Sequence, residues 1–280
     1  MPSTPPDSSS LHYIRRGQGD PVILIHGMAA SLHGWNWLVP ALAANGYSAL
    51  ALDLPGHGDS PKPDDPGQYT IESFYTSLDA WIDSQDFAAP PVLVGHSLGG
   101  YLSLSYAVRH PVQVRALVLI DPLYNLEQLS PFVRMLRHRP AISEKALHLI
   151  PERVISALLS WDPTRSEDHP RDARQQIAAD YKRASSHIVY IPASLQDLTP
   201  LLSQVTLPSL VIWGEKDLTL RPDSFPALAE ALPNALSRAI RGAGHQPHIG
   251  QPTLVNRLAL DFLASLTPIL PGLKEFMRDE

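Results

Sequence analysis

The stretch VLVGHSLGG, residues 92–100, decides how this chain is read. An apolar run, PVLVGHS at 91–97, stops at a serine, and a helical pattern, LGGYLSLSYAVRH at 98–110, begins at the next residue. Ser97 therefore stands at a strand-to-helix junction, with Gly95 two residues before it and Gly99 two residues after. The pattern G-x-S-x-G describes a sharp turn that strains the serine backbone and presents its hydroxyl at the carboxyl edge of a sheet. The glycines are needed because a side chain at either place would collide where strand and helix fold back on each other.

Moving outward, residues 21–27, 47–56, 116–121 and 209–217 repeat the character of PVLVGHS. They are short runs rich in Val, Ile and Leu, as expected of strands buried on both faces. Residues 235–242 give a last strand candidate, followed by the amphipathic segment LVNRLALDFLASL at 254–266. Segments of helical length and period at 35–46 and 71–85 fall between the early strands, so strand and helix alternate as in a parallel α/β sheet.

The alternation stops after Asp121. Residues 122–203 carry helical patterns broken by prolines at 131, 140, 151, 163 and 170, which predicts a helical cap inserted into the core. The expected division is a disordered tail at 1–12, a core made of 13–121 and 204–280, and the cap at 122–203.

Composition narrows the function. With 280 residues the chain can bury a core without a partner. Its 28 Asp and Glu against 22 Lys and Arg lack the basic excess of a nucleic-acid or anionic-membrane binder, so a small-molecule substrate is expected. The Arg and His residues of the cap interleave with apolar positions, as on a solvated helix face. No cysteine is present, which removes disulfides, thiolate metal sites and a cysteine nucleophile. Neither a signal peptide nor a membrane span is legible, and a cytoplasmic location is expected. Oligomeric state is not readable.

A serine hydroxyl is a weak nucleophile at neutral pH and needs a base, itself oriented by a third group. Downstream, Asp217 follows the strand SLVIWGEKD and His245 lies in RGAGHQPH, giving the order serine, acid, histidine.

With these residues the chain resembles the α/β-hydrolase superfamily, and within it the capped serine hydrolases akin to carboxylesterases and carbon–carbon bond hydrolases. The resemblance spans about residues 13–266 and rests on HGM, DLPGHGDS, GHSLGG, WGEKD and GAGHQPH. It implies a mostly parallel central sheet with flanking helices and a helical cap inserted after the sixth strand. It also implies Ser97 as nucleophile, His245 as general base and Asp217 as orienting acid, with the backbone N–H groups of Met28 and Leu98 as the oxyanion hole. Many relatives carry a glutamate after the histidine where this chain has Gly250.

Other candidates compete for these roles. Asp121 ends a strand on the same sheet edge, where some relatives recruit their acid; Asp217 is favoured because WGEKD matches the commoner pattern. His26 and His57 are expected to shape loops, and His96 to point away from the nucleophile. A metal at His245 and His248, or at Asp53, His57 and Asp59, is the weaker reading, since no recognised zinc spacing completes either set. Trp35 and Trp161 are expected to reach the substrate.

A serine at position 97 implies acyl transfer, because relatives that open epoxides use a carboxylate there. Hydrolysis of a small carboxylic ester, with no cofactor, is the first expectation. The alternative is cleavage of a carbon–carbon bond in a vinylogous diketone by the same residues, with Arg134, Arg137 or Arg153 gripping a substrate carboxylate. A non-catalytic small-molecule receptor on the same scaffold is a further alternative.

Overall fold

The computed structural model describes residues 11–129, Arg134, Glu144 and residues 171–266. Among these residues seven strands form one sheet: β1 (Tyr13–Arg16), β2 (Asp20–Ile25), β3 (Tyr47–Leu52), β4 (Val92–His96), β5 (Ala116–Ile120), β6 (Ser209–Gly214) and β7 (Ala235–Ile240). Their spatial order is β1-β3-β2-β4-β5-β6-β7. Only β1 runs antiparallel to its neighbour, β3.

The buried strands point successive side chains to opposite faces, so each supplies two cores. Ile23, Leu50, Leu93, Leu117 and Leu119 face one side, together with Phe74 and Trp81 of α2 (Ile71–Asp83) and Leu102 of α3 (Leu98–Arg109). Val22, Leu24, Val92, Val94 and Val118 face the other, against Leu38 and Leu42 of α1 (Leu38–Ala44). These residues are almost fully buried, each stabilising the fold by about 1.5–3 kcal/mol relative to exposure. Thr70 starts α2 as an N-cap, its hydroxyl accepting from Ser73 N, and Ile71, Phe74, Tyr75, Leu78 and Trp81 then make its buried stripe.

Between β5 and β6 the described residues form α4 (Arg171–Arg183) and 3-10 turns at Ser186–Ser194 and Thr199–Gln204. α5 (Ser224–Ala231) then precedes β7, and a short α6 (Pro247–Gly250) leads into α7 (Pro252–Ser265). The expected cap helices at 129–161, together with Trp161, Arg137 and Arg153, lie outside the described residues, apart from Leu129, Arg134 and Glu144.

Three details depart from the sequence reading. The strand before the insertion is the fifth in chain order among the described residues, where a sixth was expected. β1 was not anticipated: YIRR is mostly exposed at the sheet edge and carries no apolar run. Leu11 and His12 do not belong to a tail. Leu11 is buried in the core, while His12 N donates to Ser60 Oγ and its Nδ1 to Asp53 Oδ2.

Candidate active site

The strand order places a site before any side chain is considered. From β2 the chain crosses to β3 on one side, and the later strands extend to the other, so the crevice between the carboxyl ends of β2 and β4 is the switch point where α/β sheets bind ligands. The residues leaving those ends are His26, Gly27 and Met28 from β2, and Ser97 from β4. The two segments touch: a Cβ on Gly27 would lie 3.1 Å from Ser97 Cβ.

Ser97 sits at φ 52°, ψ −112°, a left-handed conformation that a non-glycine residue adopts only under constraint. The constraint is visible in its neighbours. A Cβ on Gly95 would meet Gly99 O at 2.4 Å, and one on Gly99 would meet Ile25 O at 2.0 Å. Backbone bonds hold the turn: Ser97 N donates to Ile120 O at 3.1 Å, and Ser97 O accepts from Tyr101 N and Leu123 N, each at 3.1 Å. The side chain is half-buried.

Leu98 is the first residue of α3, so its N–H has no acceptor inside the helix. In the facing loop, Ala29 N donates to His57 Nε2 at 3.0 Å and Ala30 N to Gly27 O at 3.3 Å. Met28 N–H makes no hydrogen bond with the described residues, and the Met28 side chain is exposed. His26 and His57 brace this loop, as their sequence positions suggested. His26 Nδ1 donates to Gly27 O at 2.7 Å and its Nε2 accepts from Leu54 N at 2.9 Å, while His57 Nδ1 donates to Pro55 O at 2.8 Å.

Asp217 and His245 meet. His245 Nδ1 donates to Asp217 Oδ2 at 2.7 Å, and Asp217 Oδ1 accepts from Thr219 N at 2.7 Å and Leu220 N at 3.0 Å. Burial opposes a charge on Asp217, but the adjacent imidazole and the two amides outweigh it and hold the carboxyl below its usual range. Asp217 is thus an anion whose oxygens are fixed, and it sets the His245 ring with Nε2 away from the pair.

His96 ties this pair to the Ser97 turn. Its Nε2 donates to His245 O at 2.7 Å, and the two rings are 4.8 Å apart between centroids. Among the described residues the hydrogen bonds of His245 run to Asp217 and from His96, and none joins its ring to Ser97 Oγ. Burial, and then the neighbouring His248 and His245, keep His96 neutral.

A cleft over this edge is lined by His26, His33, Trp37, His96, Gln176 and His248, with α4 as its far wall. Trp35, expected at the substrate, is instead fully buried in the core beneath the loop, its ring 4.8 Å from that of His248. Among the described residues Trp37 is the tryptophan that lines the cleft; one residue separates it from Trp35, and the turn at Leu32–Trp35 decides which points outward. His33, Gln176 and Asp180 were not singled out from sequence. Gln176 Nε2 donates to Asp180 Oδ1 at 2.8 Å, and His33 Nδ1 lies 3.5 Å from the same oxygen.

Among the described residues, two sets of three side chains bring potential metal-ligand atoms within 4.8 Å of one another: His12, Asp53 and Asp59, and Asp121, Asp217 and His245. In the first, Asp53 already accepts from His12, Leu32 N and Asp59 N. In the second, Nδ1 of His245 and both oxygens of Asp217 are committed to each other and to amides. His248 is buried with its ring against Trp35 and His96, and burial lowers its pKa to about 3.

The chain belongs to the α/β-hydrolase fold family, whose model matches residues 20–252. It is 25% identical over 261 residues to a 2-hydroxy-6-oxo-6-(2'-aminophenyl)hexa-2,4-dienoic acid hydrolase of Metapseudomonas resinovorans, covering 90% of this chain and 87% of that one. It is 22% identical over 298 residues to the bifunctional epoxide hydrolase 2 of Rattus norvegicus. There the match takes in 90% of this chain but only 53% of the relative, so the chain spans about half the length of that protein. A thermophilic esterase from Thermogutta terrifontis shares the fold with a TM-score of 0.78, at 24% identity, over 92% of this chain and 94% of the other. Among the described residues no helix is long and apolar enough to cross a membrane.

Proposed function

We propose that this hydrolase-family protein is a serine hydrolase that cleaves small carboxylic esters through an acyl-enzyme. The observation that carries the reading is the Asp217–His245 pair, bound through His96 to the strained turn that presents Ser97. In this scheme His245 Nε2 removes the proton of Ser97 Oγ as that oxygen attacks the substrate carbonyl. The N–H groups of Met28 and Leu98 stabilise the resulting oxyanion, each contributing about 3 kcal/mol. His245 then protonates the departing alcohol, and the acyl-enzyme forms. A water molecule, deprotonated by His245, releases the acid and restores Ser97. Asp217 remains ionised throughout and stabilises the imidazolium. No step draws on a metal or organic cofactor.

Residues 122–203 form the cap in this proposal, with α4 closing the cleft over Trp37 and His33. The chemistry that the rat epoxide hydrolase's name describes is less suited to this chain, since Ser97 offers a hydroxyl where an alkyl-ester mechanism needs a carboxylate. A second reading is favoured by the likeness to the Metapseudomonas resinovorans enzyme: carbon–carbon bond cleavage in a vinylogous diketone.

Turnover of p-nitrophenyl acetate and butyrate beside a vinylogous diketone separates the two. Ester turnover abolished by Ser97→Ala, with an unchanged melting temperature, is the expected result. Turnover that survives Ser97→Ala overturns the mechanism, and a protein that turns over neither substrate fits a receptor. A fluorophosphonate probe is expected to label Ser97 and no other serine.

A further inference from the structure

We infer that Asp121 is a positioning residue that works as a neutral carboxylic acid, its Oδ2–H donating to the carboxylate of Asp217 and so sharing the charge that orients His245. The inference rests on the catalytic reading of Asp217 and His245, and its placement is independent of that reading.

Asp121 leaves the end of β5, beside β6, at φ 41° and with no solvent exposure. A strained backbone and a buried carboxyl at one position both oppose folding, and such positions cluster where function requires them. Its Oδ1 accepts from Gly214 N at 2.9 Å, and its Oδ2 is buried with no hydrogen-bond partner among the described residues, on the side of Asp121 where Asp217 and His245 gather. Asp217 and His245 are the titratable groups gathered around it, with one atom of each of the three within 4.8 Å of the others. A carboxylate oxygen of Asp121 and one of Asp217 lie within 4.8 Å of each other.

Two buried carboxyl groups this close repel as anions, which favours a proton on one of them. The donor count assigns it. Asp217 receives Thr219 N, Leu220 N and His245 Nδ1, three donors that favour the anion. Asp121 receives one, Gly214 N. Burial, and then the negative charge of Asp217, hold Asp121 well above the usual carboxylate range. At neutral pH the pair therefore carries one charge, centred on Asp217. The effect on His245 follows from electrostatics. A donor on Asp217 disperses its charge and weakens its pull on an imidazolium.

Two measurements test this on the full-length protein. The first needs no turnover: infrared difference spectra at neutral pH between wild type and Asp121→Asn. A protonated-carboxyl stretch is expected in wild type, lost in Asp121→Asn and retained in Ser97→Ala. Absence of that band in wild type overturns the inference.

The second is the pH profile of kcat/KM for ester hydrolysis. Asp121→Leu, which removes the donor, is expected to lower kcat/KM by about tenfold or more and to move the acid limb to higher pH. Asp121→Asn keeps an N–H donor and is expected to recover most of the rate and the wild-type limb. A limb displaced to lower pH in Asp121→Asn means that a negative charge was removed, and Asp121 was ionised. A wild-type protein without ester turnover defeats the catalytic reading, and the infrared band still decides the proton.

Discussion

The loop at Asp53 and the loop at Asp217 are built alike. Each carboxylate is buried at the carboxyl edge of the sheet and accepts two backbone N–H groups and the Nδ1–H of a histidine. Asp53 has Leu32 N at 2.8 Å, Asp59 N at 2.9 Å and His12 at 2.9 Å; Asp217 has Thr219 N, Leu220 N and His245. In both, burial raises the pKa and the imidazole and amide partners more than reverse it; for Asp53 the largest opposing influence is His26. The difference lies beyond the imidazole. His12 is 41% exposed and faces solvent, whereas His245 is anchored by His96 beside Ser97. A carboxylate–imidazole pair is a common brace, and it becomes candidate machinery only where the far nitrogen meets a nucleophile.

The largest expected contrast comes from replacing each acid in turn. Asp217→Asn leaves the ring in the wrong tautomer and should cost about 10⁴ in kcat, close to 5.5 kcal/mol of transition-state stabilisation, with little loss of stability. If it does not while Asp121→Asn does, the acid assignment moves to Asp121. Asp53→Ala should do the reverse. It strands the amides of Leu32 and Asp59 and should lower unfolding free energy by about 3 kcal/mol in urea titrations, with a far smaller effect on turnover. Equal losses of activity in the two variants would erase the distinction.

Acid should attack both sides, because His26 and His57 near Asp53 and His96 and His248 near His245 are all held neutral by burial. Burial lowers the pKa of neighbouring His26 and takes that of His57 to about 3, while both have ordinary values near 6.5 when unfolded. The unfolded chain then binds more protons below pH 6.5, so their stabilisation is complete above that value and is lost as pH falls toward 3. Each histidine should add up to about 1.4 kcal/mol per pH unit to the slope of unfolding free energy. Flat stability between pH 6.5 and 4 would show that these rings are charged in the folded protein. The smallest effect belongs to His12→Ala: the ring is 41% exposed and buried Asp53 keeps its two amide donors, so the loss should be about 1 kcal/mol, visible as a shift of a few degrees in melting temperature at most.

Much of this was legible in the sequence because its signals are local. The turn around Ser97 needs glycines two residues away on each side, and those are read directly from GHSLG. Asp217 and His245 follow strands whose apolar runs are equally plain, so their shared sheet edge could be read before their contact. What escaped was set by distant partners. Asp53 acts on Leu32 and His12, 21 and 41 residues away, and Asp121 on Gly214, 93 residues away. No spacing rule links such positions. Trp35 and Trp37 are chemically identical, and their opposite fates depend on how one 3-10 turn packs against α6 and the sheet.

The carbonyl of Ser97 is shared by two donors, Tyr101 N inside the helix and Leu123 N at the mouth of the insertion. The residues that follow β5 are therefore stitched to the turn itself. Exchanging the proposed cap for a relative's would have to leave residues 121–123 in place and splice beyond them; a junction made any earlier would unseat the serine along with the exchanged segment.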